Sequence, residues 1–265
     1  MVPRAPMPRT LDLKELVLHT GSHEPNHTFC MMEAVAYIAG EPWSDHPACA
    51  SPVLGAFCRS WNDALDDETR QRLKPYIPRL VDTKATKDVE KKRAWMATDW
   101  LARECAPAFL RLAGLTEHAE TLEGLVALTG SREAKAAKRP LAAANAARYA
   151  ATGAVADVAN SARYAATYAA WDAMKAAANA ARYAATGALA DVANSVRYAA
   201  TYAAWDTMTD AANAARYAAT GAATDAAWDT MKAAADALAP TAKVLQESSF
   251  LLLDRMIETK NPGGA

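Results

Sequence analysis

The segment AANAARYAATG starts at Ala143, returns at Ala177 and returns again at Ala211, a period of 34 residues. No other feature of the chain limits its fold as strongly. That period advances a straight α-helix by about 160° beyond whole turns, so one rod would point successive copies to nearly opposite sides. Equivalent copies doing equivalent work therefore require the chain to turn once per period. Thr152-Gly153, Thr186-Gly187 and Thr220-Gly221 are the expected turns, because glycine readily enters the left-handed conformation that ends helices. Alanine is the best helix former, and the Arg, Lys, Met and Leu among it are nearly as good. The period thus predicts stacked helical hairpins, with a rod bent at the glycines as the alternative.

Inside a copy, Tyr164, Tyr168, Trp171 and Met174 fall on one helical stripe, as do Tyr198, Tyr202, Trp205 and Met208. A bundle rich in alanine buries little area per residue, so this seam is expected to supply most of its packing energy. Each Arg-Asp pair such as Arg163 and Asp172 is separated by half a turn around a helix and can pair only between helices. From Leu141 to Pro240 there are seven basic and eight acidic residues, a balance that argues against a nucleic-acid surface.

Upstream of the repeats the pattern is helical without being repetitive. A helix is expected over about Thr28 to Ala39, capped by Asn26 or Thr28 and ended by Gly40. Ser51-Pro52 opens a second, with Val53, Leu54, Phe57, Trp61 and Leu65 on its buried side. A third starts near Asp88 and meets Pro107, which kinks or interrupts it, and a fourth lies near Leu122 to Leu128 after a turn at Gly114. Period-two alternation is absent, so the chain reads as all-α. Its expected parts are a flexible N-terminus (1–14), a helical domain (15–130), a linker (131–140), the repeats (141–239), an amphipathic capping helix after Pro240 (240–260) and a disordered tail (261–265).

A net charge of −1 gives no general reason for a nucleic-acid or acidic-membrane partner, and no apolar run approaches the roughly 20 residues of a membrane helix. Residues 1–9 lack the apolar core of a signal peptide, so a cytoplasmic setting and four free thiols are expected.

Chemistry, if present, is expected in the N-terminal domain. Seven of the nine His and Cys residues lie between His19 and Cys58. His23, Cys30, His46 and Cys49 offer four nitrogen and sulfur ligands of the kind zinc takes, although their spacing matches no standard finger and they read more readily as satisfied structural residues. Cys30, in the first turn of a helix, could instead be a nucleophile activated by the helix dipole, with His23 or His46 as base and Asp45 as the orienting carboxylate. Glu33 shares the face of Cys30 among apolar neighbours; a buried carboxylate needs a partner, and Arg59 is the expected one. Arg59, Asn62 and Asp63 form with Glu33 a candidate binding cluster, or else a solvated helix face.

The run GSHEPNHTFCMMEAVAYIAGEPWSDHPACASPVLGAFCRSWNDAL from Gly21, with RQRLKPYIPRLVDT and KKRAWMATDWLARECAPAFLRLAGL after it, resembles a family of uncharacterised proteins from actinobacteria and their phages. The resemblance covers roughly residues 15–115 and implies a bacterial or phage intracellular setting, but no particular activity. The sequence therefore favours a non-enzymatic helical interaction or scaffold protein that binds a protein partner or itself. The alternative is a small zinc-dependent or thiol-dependent site, regulatory or enzymatic.

Overall fold

Two short side chains open the first long helices, each by turning back on the helix it precedes. The computed structural model describes residues 9–25, 28–112, 114–151 and 224–260. In it α1 spans Met31–Ile38 with Cys30 as its N-cap, and α2 spans Pro52–Ala64 with Ser51 as its N-cap. The Ser51 hydroxyl accepts from the Leu54 N–H at 3.2 Å, as the Ser-Pro pair predicts. α1 starts later than expected, because Cys30 and Glu33 form a reciprocal capping box that Thr28, with Met31 three residues on, could not provide; Asn26 lies outside the described residues. Gly40 closes this region at φ 74°, a conformation that glycine adopts without penalty.

The rest follows in chain order: α3 Asp67–Gln71, a 3-10 turn Lys74–Tyr76, α4 Ile77–Leu80 and α5 Lys87–Trp100. α5 runs through a single π-turn, Leu101–Cys105, into α6 Ala106–Leu112. Pro107 sits at the start of α6, and the Ala106 N–H bonds five residues back to Leu101. The widened turn accommodates the proline, so the chain bends into a new helix without a loop. α7 (Thr116–Glu123) ends before the expected Leu128, whose N–H is held at 2.7 Å by the Asp99 carboxylate.

The chain is all-α: among the described residues no strand forms, and the only β contact is an isolated bridge between Leu18 and Phe29. No described helix is long and apolar enough to cross a membrane.

Two prolines read as breaks are not breaks. α8 spans Ser131–Ala151 with Pro140 inside it, so the expected linker at 131–140 is helical. Ala134, Ala137, Leu141 and Ala144 form its buried stripe, and Ala136, whose carbonyl Pro140 leaves without a donor, is exposed to water. α9 spans Thr224–Glu258 and carries Pro240, also exposed, so the capping helix starts well before that proline. The expected turns at the three Thr-Gly pairs, the aromatic seam, the Arg-Asp pairs, His27, residues 1–8 and the tail 261–265 lie outside the described residues.

α1 packs on α2 and α4, while α5 packs on α2 and α9. The C-terminal part of α9 enters the core through Leu245, Phe250, Leu252, Leu253, Met256 and Ile257. The Phe250 ring lies 4.4 Å from that of Trp61 and 5.9 Å from that of Tyr76, with the Arg72 guanidinium 4.3 Å above it. Two buried arginines finish helices. Arg70 donates to the Asn62 and Leu65 carbonyls at the end of α2, and Arg93 to those of Met256 and Thr259 at the end of α9. Both supply donors to carbonyls that have no partner inside their own helix.

Candidate functional site

The residues singled out by sequence fall into two places. The first is a clamp on the loop before α1. Glu33 is 1% exposed, and its carboxylate accepts from the His23 N–H at 2.5 Å and the Cys30 N–H at 2.7 Å, with His23 Nδ1 2.9 Å away. Asn62 works beside it, accepting from the Met31 N–H at 3.1 Å and donating to the His19 carbonyl at 2.8 Å. Asp63 accepts from the Gly21 N–H at 2.7 Å, and Trp43 Nε1 donates to the His23 carbonyl at 2.6 Å. Apart from the His23 ring contact, each of these bonds fixes backbone. Their joint effect is to seat residues 19–23 against α1 and α2 and to satisfy the open N-terminus of α1.

This geometry corrects three expectations. Glu33 pairs with His23 and backbone, not with Arg59, because its own capping box turns the carboxylate back toward the loop. Arg59 instead donates to the Asp45 carbonyl at 2.9 Å. The zinc set is not assembled: among the described residues no three His, Cys, Asp or Glu side chains converge as metal ligands. His23 is taken by Glu33, His46 Nδ1 lies 2.6 Å from Asp45 Oδ1, and Cys49 sits on a loop whose N–H groups bind Glu41.

Cys30 is not an activated thiol either. Burial, with the Glu33 carboxylate adding to it, pushes the thiol up to about 12, against the helix N–H groups that favour a thiolate. The Asp45–His46 pair exists as expected but hydrogen-bonds to no thiol among the described residues. Burial likewise raises Cys58 to about 12 and pushes Cys105 and Cys49 upward. Alkylation needs the thiolate and access to it, so iodoacetamide at pH 8 should label half-buried Cys49 first and spare the other three until the protein unfolds. Peptide mass spectrometry reads the order; early labelling of Cys30 would contradict this burial.

The second place is a small cavity, about 170 Å³, between the loop before α2, the loop before α5 and the outer side of α2. His46 and Arg59, which the sequence had assigned to different sites, both line it. So does Lys84, which sequence reading missed, since a lone lysine in a loop carries no spacing signal. A larger groove of about 580 Å³ on the other side of Lys84 includes Arg79, Asp82, Arg93 and Glu258. Its two arginines are already engaged: Arg79 pairs with Asp254 at 2.6 Å, and the Arg93 fork is spent on carbonyls and Glu90.

No family model, curated protein or solved structure matches the chain. The resemblance of residues 15–115 to actinobacterial and phage proteins therefore adds nothing to the reading of these residues, which rests on geometry alone.

Proposed function

We propose that the chain is a helical interaction protein, which works by holding and presenting its alanine-rich repeats rather than by turning over a substrate. The observation that carries this is the route of the chain. α8 leaves the N-terminal domain along a stripe buried as far as Ala144, and α9 returns and buries Leu245, Phe250, Leu252, Leu253, Met256 and Ile257 in the same core. Both ends of the repeat-bearing segment are thus anchored in one domain. A domain that grips both ends of a segment sets where that segment emerges, a scaffold's task.

The polar residues that could have carried chemistry support the same reading. Glu33, Asn62 and Asp63 hold backbone groups, the His23 ring is taken by Glu33, and the Cys30 thiol stays protonated at neutral pH. On α9, Val244 and Leu251 are 66% and 62% exposed; seven residues apart, they share one face and offer an apolar contact to another helix.

Light scattering of the full chain across a concentration series tests the proposal. The expected result is a mass above one chain, reduced to one chain by Val244→Asp combined with Leu251→Asp. A strict monomer at every concentration, together with no protein retained from a bacterial lysate beyond a blank control, would overturn it.

A further inference from the structure

The 170 Å³ cavity is lined by His46, Arg59 and Lys84 with Met32, Pro47 and Gly55 among its walls, and no carboxylate lines it. Its two cations, Arg59 and Lys84, come from separate elements, and His46, held by the Asp45 carboxylate, stands beside them. Arg59 meets only a neutral carbonyl, that of Asp45, and forms no ion pair among the described residues. Lys84 is exposed and forms none there either. Of the nearby acids, Asp82 lines the neighbouring groove rather than this cavity, and three others are engaged elsewhere. Asp45 holds His46, Glu41 binds the Ala48 and Cys49 N–H groups, and Glu90 takes the Ser51 hydroxyl and Arg93.

The walls are also fixed in place. The Lys84 N–H donates to the Cys49 carbonyl at 2.9 Å, and the Ser51 N–H donates to Thr83 Oγ1 at 3.0 Å, joining the two loops. Glu90 holds the Ala85 N–H at 3.2 Å, just past Lys84. On α2, Gly55 lets the Arg59 guanidinium lie flat along the helix: a Cβ there would stand 3.2 Å from Nη1. Uncompensated cations held around a preformed hollow, with an apolar wall beside them, are an arrangement suited to a small anion. The volume is too small for a drug-sized ligand and is equivalent to roughly five or six waters, room for one tetrahedral oxyanion and part of its shell.

We propose that this cavity binds a phosphate-sized oxyanion, with Lys84 and Arg59 as its charged donors and His46 at its rim. The site stands independently of the interaction reading, since it would persist in a monomer. A phosphate can arrive as the free ion or as the end of a small phosphomonoester, whose organic part would lie toward Met32 and Pro47.

Calorimetry on the full chain, with inorganic phosphate and phenyl phosphate as probes and sodium chloride holding ionic strength constant, tests it. Saturable one-to-one binding is expected, weakened about tenfold by Lys84→Ala, a typical loss for one charge-assisted bond. Lys91→Ala, an exposed lysine on α5, should leave binding unchanged. Gly55→Ala perturbs the Arg59 position while favouring the helix, so it should weaken binding without lowering the melting temperature. Tighter binding of phenyl phosphate would assign the monoester as the source, and equal binding the free ion. Binding that fails to saturate, or that Lys84→Ala and Lys91→Ala reduce equally, would overturn the site.

Discussion

Replacing Arg93 with alanine should destabilise the folded protein by about 3–5 kcal/mol, a large part of the 5–15 kcal/mol typical of a domain. Arg93 is 1% exposed and makes four separate contacts. It donates to Met256 O at 2.9 Å, Thr259 O at 2.8 Å, Thr83 O at 2.7 Å and Glu90 Oε1 at 3.0 Å. Burial lowers its affinity for the proton, and the Glu90 carboxylate opposes that effect and keeps the ion pair in place. Alanine would leave Glu90 buried without its charge partner and would strip the end of α9 of its donors. Truncating one member of a buried pair is costly for that reason.

The loss should be local in origin, beginning at the far end of α9. Urea titration monitored by tryptophan fluorescence measures it, and limited proteolysis should cut first near Thr259. Arg79→Ala is the control. It removes an ion pair to Asp254 on α9, but one whose arginine is exposed and whose carboxylate is only half-buried, worth about 1 kcal/mol or less. If the two variants lose the same amount, Arg93 is not the anchor of α9. Exchanging Glu90 and Arg93 together for Gln and Met should recover part of the loss, because no lone charge is left behind.

The legible parts of this fold are those written in adjacent residues. Ser51-Pro52 announces α2, Gly40 and Gly114 mark ends, and the absence of alternation predicts an all-α chain. The illegible parts depend on residues far apart in the chain. Arg93 meets carbonyls 163 and 166 positions away, and no local pattern distinguishes it from the neighbouring solvated lysines. Pro140 and Pro240 look like breaks because local rules charge proline for its missing donor; the rules do not see that Ala136 faces water or that both helices are pinned by their buried stripes.

At the candidate site the same division holds. Residue type singles out Glu33, Asn62, Asp63 and Arg59 as polar groups in need of partners. It does not say which partners. A buried Glu33 calls by chemistry for a cation on the next helix, whereas its spacing of three from Cys30 already satisfies a capping box. The candidate zinc ligands share only their chemistry: the chain path puts His23 and Cys30 at the clamp, His46 at the cavity and Cys49 on the loop bound by Glu41.

Removing the carboxylate in Glu33→Ala should destabilise the protein by about 2–4 kcal/mol, the next largest effect. The carboxylate is the acceptor for two backbone N–H groups, at 2.5 and 2.7 Å, and lies 2.9 Å from a ring nitrogen. Alanine would leave the Cys30 N–H in a buried position with no replacement, and an unmet buried donor costs about 1–3 kcal/mol. Glu33→Gln separates shape from charge. It keeps one acceptor oxygen but turns an amide NH₂ toward a donor, so it should fall between wild type and alanine. Asn62→Ala acts on the same loop through Met31 and His19, so the double variant with Glu33→Ala should lose less than the two single losses combined. Urea midpoints of the four proteins give the coupling directly. Strict additivity would mean that Glu33 and Asn62 hold separate pieces of backbone, and the clamp would then not be one unit.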